Sequence, residues 1–96
     1  MNTLIRTAEF SLWLTSVRDK VAFARIAQRL DAMVVGQFWR LPADRRGLSE
    51  MRIHVGAGYR VYFTRRGSVV YLLPNRGTKS SQQRDIKRAK QMQKLL

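Results

Sequence analysis

Two hydrophobic periods divide the chain. From Ala8 to about Val35 no Gly or Pro interrupts the sequence, and apolar side chains recur as Phe10, Trp13, Leu14 and Val17, then as Phe23, Ile26, Ala27 and Leu30 with Met33 or Val34. The i, i+3, i+4, i+7 spacing lines each set along one face of an amphipathic helix, which makes these side chains core. Asp19 stands between the two sets and suits a helix N-cap, so the segment reads as a helical hairpin and not one rod. Ahead of it, "NTLIRT" reads as a short first strand, with Thr7 or a neighbour capping the first helix.

In "EMRIHVGAGYRVYFTRRGSVVYLL" the period becomes two. Met51, Ile53 and Val55 point one way and Glu50, Arg52 and His54 the other; Tyr59, Val61 and Phe63 take one face and Arg60, Tyr62 and Thr64 the opposite one. The glycines of "GAG" at 56 to 58 and "RG" at 66 to 67 permit the turns. A three-residue first loop sets His54 across from Arg60, Arg52 across from Tyr62, Ile53 on Val61 and Met51 on Phe63. A two-residue second turn sets Tyr71 across from Tyr62 on the same polar face. That face carries cations where an ordinary sheet shows a scatter of Thr, Ser, Glu and Lys.

Between these regions, "GQFWRLPADRRGLS" begins at the helix-ending Gly36 and holds Pro42, Gly47, Arg40, Arg45 and Arg46, the signature of an irregular surface connection. Its arginines either extend a phosphate-binding footprint or are simply solvated. Pro74 stops the last strand, and "NRGTKSS" forms a loop that brings Arg76 and Lys79 to the strand's C-terminal end. Ser80 or Ser81 caps a final helix, "QQRDIKRAKQMQKLL", with a thin apolar stripe of Ile86, Ala89, Met92 and Leu95 and a strongly basic outer side that includes Lys87. The expected fold class is α+β: an N-terminal strand and a helical hairpin packed on one side of a small antiparallel sheet of about four strands, with a C-terminal helix. Ninety-six residues suit a single domain, 1–96.

Charge then changes the picture. The 19 Lys and Arg against 6 Asp and Glu give a net +13, and the excess is uneven. Residues 1 to 35 hold five basic and three acidic groups, a net +2, whereas residues 36 to 96 hold fourteen and three, a net +11. Such a surface is drawn to polyanions, because neutralising phosphates releases condensed counterions; nucleic acid is the natural partner class, and an acidic protein is the second. The bland alternative is a solvated basic surface without a dedicated ligand. No cysteine is present, so disulfides, thiol catalysis and thiolate metal sites are excluded, and a single histidine argues against zinc. No metal or other cofactor is expected. No window approaches the ~18 to 20 apolar residues of a membrane span, and the N-terminus lacks the succession of a signal peptide, so the expected location is the cytoplasm.

Residue types on the polar face suit one chemistry. RNA can be cut without a metal when its own 2′-hydroxyl attacks: one group takes that proton, cations hold the phosphorane-like transition state, and one group protonates the leaving oxygen. Arginine suits the second task because its planar donor fork matches phosphate oxygens and it stays charged. Histidine suits the first or third, and cations near His54 favour its neutral form and the role of base. Tyrosines such as Tyr62 and Tyr71 position or stack a base. Arg52, His54, Arg60, Arg76 and Lys79 are thus candidate catalytic residues, and Tyr62, Tyr71, Arg45, Arg46, Arg65 and Lys87 candidate RNA contacts. Against this, a lone histidine on a solvent-facing strand is commonly inert, and Arg/Tyr cross-strand pairs occur in many sheets for packing. On residue types alone the face reads as a basic surface that binds nucleic acid.

The succession "SEMRI", "GAGYRVYF" and "KSSQQRDIKRAK" resembles the RelE/ParE superfamily of bacterial toxin–antitoxin toxins, and within it the HigB-like branch of addiction module killer proteins. The resemblance runs from about Thr7 to Met92. It implies a RelE/ParE-like fold and a ribosome-dependent mRNA endonuclease that cuts in the A site of the 70S ribosome and inhibits growth. A cognate antitoxin of the helix-turn-helix, HigA-like kind is the implied partner, and through it the complex binds operator DNA. On the same resemblance Arg60 matches the phosphate-stabilising arginine, Arg52 and His54 fall where relatives place basic or acid–base residues, and Arg76 or Lys79 supplies a cation after the last strand. Two departures stand out: "NRGTKSS" replaces the branch's common "GGDKS", and Gln82 or a neighbour stands where some relatives carry a catalytic tyrosine. The competing expectations are a ParE-like DNA gyrase inhibitor, which needs no acid–base group, and a non-catalytic module that docks an antitoxin or operator DNA.

Overall fold

The architecture, taken from a computed structural model, is described for residues 1–38, 41–42, 47–56, 58–73 and 81–95, with 41–42 described as backbone. Strand β1 (Thr3–Arg6) opens the chain. Thr7 then caps α1 (Ala8–Ser16), its Oγ1 accepting from the Phe10 amide at 3.2 Å. Asp19 caps α2 (Lys20–Val34), its Oδ1 accepting from the Val21 and Ala22 amides at 3.0 and 3.1 Å. Both caps satisfy amides that a helix start leaves without partners, and both lie where the sequence pattern places them.

Three strands carry the period-two region: β3 (Leu48–Ile53), β4 (Tyr59–Arg66) and β5 (Val69–Leu72). The connection before them contributes a two-residue strand, β2 (Leu41–Pro42), which pairs antiparallel with β3. Proline lacks an N–H for the ladder, and an edge strand is where it is tolerated. The sheet is five-stranded in the order β1-β5-β4-β3-β2, antiparallel from β5 to β2 but parallel where β1 meets β5. A parallel pair needs a long connection, and α1, α2 and β2 to β4 all lie between β1 and β5 in the chain.

Both expected registers shift. Arg52 pairs with Arg60, Ile53 with Tyr59, Met51 with Val61 and Ser49 with Phe63, so the first loop spans 54–58 and not 56–58. His54 consequently leaves the strand instead of opposing Arg60, and Arg52 faces Arg60 instead of Tyr62. A change of two in the register sum preserves which face each residue takes, so the alternation of the sequence cannot tell the two pairings apart. Gly56 helps to select the longer loop: its φ is +57°, and a Cβ there would stand 3.1 Å from Asp19 Oδ2. The β4–β5 turn holds two residues, Gly67 (φ +59°) and Ser68, and sets Tyr71 opposite Thr64, not Tyr62.

One sheet face packs on α1 and α2. Phe10, Leu14, Ile26, Leu30 and Met33 meet Met51, Ile53, Val61, Phe63, Val70 and Leu72 in the main core. Burial of side chains of this size stabilises by about 1.5–3 kcal/mol each. Phe23 is not part of it: Ala22 takes the inward position, the buried row runs 22, 26, 30, 33, and Phe23 is turned outward at 41% exposure.

The final helix, α3 (Gln82–Gln93), does not join its predecessors on that side. It covers the opposite face, with Ala89 buried against Leu48, Tyr62 and Leu73, and with Ile86 and Met92 partly buried beside them. Leu95, expected in its stripe, is exposed, and Asp85 and Gln93 are buried in its place. The reason is the surface beneath: this face is polar, so the helix meets it with polar groups. Gln93 donates to Thr64 Oγ1 at 3.2 Å, Thr64 donates to the Gly47 carbonyl at 3.1 Å, and Ser81 donates to Asp85 at 2.7 Å. An ion pair between Arg88 of α3 and Glu9 of α1 joins the two helical layers.

Candidate nucleic-acid interface

The polar face ends in a cluster built around one carboxylate. Glu50 lies in mid-β3 on the same side as Arg52, and β4 brings Arg60 alongside. Glu50 Oε1 accepts from Arg52 Nε at 2.7 Å and from Arg60 Nε at 2.9 Å, while Gln82 at the start of α3 donates to Oε2 at 3.3 Å. Glu50 is 4% exposed. The side chain of Arg52 is 41% exposed and that of Arg60 13%, so the arginines lie between a buried anion and the outside. The Glu50 carboxylate holds the Arg52 guanidinium above its ordinary pKa, first through the hydrogen bond and then through charge.

The other expected site residues scatter around this cluster. His54 is exposed in the 54–58 loop, two residues beyond Arg52. Tyr62, expected to stack a base, is fully buried beneath α3, and among the described residues its hydroxyl has no hydrogen-bond partner. Burial, then the charges of Glu50 and Asp85, push its pKa far above the usual tyrosine value. Tyr71 is half-buried against the same cluster under α3. Arg65 lies on the other face of β4, its guanidinium 4.9 Å from the ring of Phe38 and its Nε donating to the Gly67 carbonyl, so it is separated by the sheet from Arg52 and Arg60. Lys87 is exposed on α3 together with Arg84 and Lys90, and Lys94 is exposed just after the helix. Arg45, Arg46, Arg76 and Lys79 lie outside the described residues.

Sequence reasoning missed Glu50 as the hub and Gln82 as its third contact. A signal existed: Glu50 is the only acidic residue from 45 to 84, amid nine basic ones, and alternation already put it on the face of Arg52. Asp85, the next acid along the chain, is also buried. With Glu50 and Asp85 turned inward, the exposed charge of the described residues from 47 onward is wholly cationic. Among the described residues no group of three His, Cys, Asp or Glu could hold a metal, and no helix is long and apolar enough to cross a membrane.

No protein-family model matches the chain, and no solved structure matches it. A protein of Haemophilus influenzae, described only as uncharacterized, is 37% identical over 84 residues, covering 88% of this chain and 85% of that protein. Identity at that level over nearly the whole length of both chains is sustained by a common fold, and the chain therefore belongs to one family with this Haemophilus influenzae protein.

Proposed function

We propose that the chain is the toxin of a type II toxin–antitoxin module, RelE/ParE-like and of the HigB-like branch, acting as a ribosome-dependent, metal-independent mRNA endonuclease in the cytoplasm. The observation that carries this reading is the arginine pair: Arg52 and Arg60 face each other across β3 and β4, each bound through Nε to Glu50. Anchoring at Nε fixes the direction of each guanidinium, and guanidinium donors suit the charge of a phosphorane. The cationic exterior of α3 supports binding to ribosomal RNA and mRNA.

In the proposed reaction the 2′-oxygen attacks the adjacent phosphorus, its proton passes to His54, and the bond to the 5′-oxygen breaks. A 2′,3′-cyclic phosphate and a 5′-hydroxyl result, the leaving oxygen taking a proton from a neighbouring acid or from solvent. Arg60 and Arg52 stabilise the charge that develops on the phosphoryl oxygens, and Arg76 or Lys79 adds a phosphate contact. Since His54 stands beyond the end of β3, it approaches the scissile bond from the Arg52 side. A helix-turn-helix, HigA-like antitoxin neutralises the toxin and links the complex to operator DNA.

Induction in a bacterium with mapping of mRNA 5′ ends tests the reading. Cuts inside translated codons are expected, and they should vanish in a His54→Ala, Arg60→Ala variant. Full-strength arrest by Arg60→Ala would remove the central claim. Arrest without codon-centred cuts would direct attention to gyrase and a supercoiling assay, and absence of arrest would favour a binding module.

A further inference from the structure

We propose that Glu50 is the positioning residue of this site: its buried carboxylate sets Arg52 and Arg60 by their Nε atoms so that both present to a single phosphodiester. The inference rests on the nuclease reading above and deepens it. Arg52 lies directly opposite Arg60 in the register, and like charges in that relation destabilise a strand pair. Glu50 offsets the repulsion from a diagonal position, with one oxygen shared by both arginines at 2.7 and 2.9 Å and the other held by Gln82 at 3.3 Å.

Those contacts also settle what Glu50 does not do. At 4% exposure, with donors on both oxygens, it has no route to a substrate proton, so it acts through the arginines. An arginine fixed at Nε turns its outer edge in one direction, and that edge is the fork that matches two phosphate oxygens. A long side chain ordered before the substrate arrives loses less freedom when charge develops, which is the preorganisation that raises turnover more than binding. Glu50 also joins the site to α3 through Gln82, so the arginine geometry depends on the helix being docked.

The test uses purified full-length protein on ribosomes programmed with mRNA, comparing wild type, Glu50→Gln, Glu50→Asp and Arg60→Ala. Cleavage kinetics and thermal melting are measured on each, together with affinity for an all-2′-deoxy oligonucleotide that cannot be cut. Glu50→Gln should lower kcat tenfold or more with little change in KM, while its affinity for the uncleavable strand equals or exceeds wild type because one negative charge is gone. Glu50→Asp, one methylene shorter, should recover part of kcat. Wild-type turnover by Glu50→Gln alongside an inactive Arg60→Ala would overturn the positioning role and leave the nuclease reading standing. Parallel loss of cleavage, strand binding and melting temperature would make Glu50 merely structural and also overturn it. No cutting by the wild type would overturn both. If Glu50→Gln melts too low to assay, the Nε–H resonances of wild-type Arg52 and Arg60 decide: slow solvent exchange supports the anchoring, and exchange at the rate of free arginine overturns it.

Discussion

The two faces of the sheet are covered by helices in opposite ways. The α1–α2 face is a mainly apolar core of Phe10, Ile26, Met33, Phe63 and their neighbours, with the buried Ser49 of β3 on the same side as Phe63. Among the described residues the α3 face buries Leu48, Tyr62, Leu73 and Ala89 together with the polar Glu50, Thr64, Ser81, Asp85 and Gln93. The first face derives its stability from non-directional burial and tolerates small displacements. The second depends on hydrogen bonds with defined geometry, each contributing a net ~1 kcal/mol when made and costing more when one partner is lost. A chain that gathers polar and charged groups on one face therefore needs the other face to hold the fold.

The largest effect should come from the apolar face. Phe63→Ala, at a fully buried position of the central strand stacked 5.8 Å from Phe38, should destabilise by about 3–5 kcal/mol in denaturant unfolding. A loss below ~1 kcal/mol would mean that the apolar face is no stronger a support than the polar one. Next is Glu50→Ala, which leaves two opposed arginines without their anion and should cost roughly 3 kcal/mol. Adding Arg60→Ala should then recover part of that loss, because the second change removes one of the two opposed charges; a purely additive double variant would show that the cluster is not coupled.

Hydrogen exchange should separate the two helical layers. Amides of α3 should open by a local route at a free energy lower than those of α2 by at least ~1 kcal/mol, since fewer apolar contacts hold the helix down. Equal protection in the two helices would mean that the polar seam is as strong as the core. The smallest effect, with the opposite sign, is expected at Tyr62. Its hydroxyl is buried with no partner among the described residues, so Tyr62→Phe should be neutral or stabilising by up to ~1 kcal/mol. The same residue carries an alkaline signature. Its folded pKa lies above the unfolded value of about 10, so the folded state keeps its proton longer. The associated stability is fully present below pH 10 and is lost as pH climbs from there toward the higher folded value. Tyr62→Phe should abolish that alkaline decline, and an unchanged pH profile would dissociate it from Tyr62.

Much of the fold was legible because its signals are local. The caps at Thr7 and Asp19, the strand face of Met51, Ile53, Val61 and Phe63, and the glycine turn at Gly67 each depend on a few neighbouring residues. Register was not legible, because pairings that differ by two in their sum bury the same side chains. Alternation puts Arg52 and Arg60 on one strand face, as the register has them, but it makes Tyr62 look available to a base and leaves Glu50 inconspicuous, whereas both are buried. Both have one origin: a polar period-two face reads as solvent-facing, and nothing in the strand itself announces that a helix covers it. The amphipathic pattern of α3 hinted at the truth in reverse, since Asp85 and Gln93 fall on the side that a polar surface can accept.

By itself the sequence determined the α+β class, the helical hairpin, the two-sided strands and the concentration of positive charge after residue 35, since propensity, periodicity and composition operate over short stretches of chain. Only the tertiary structure decided that α3 lies on the polar face, that Arg52 meets Arg60, and that Glu50 holds both, for these depend on contacts between segments whose mutual placement is set by the whole core.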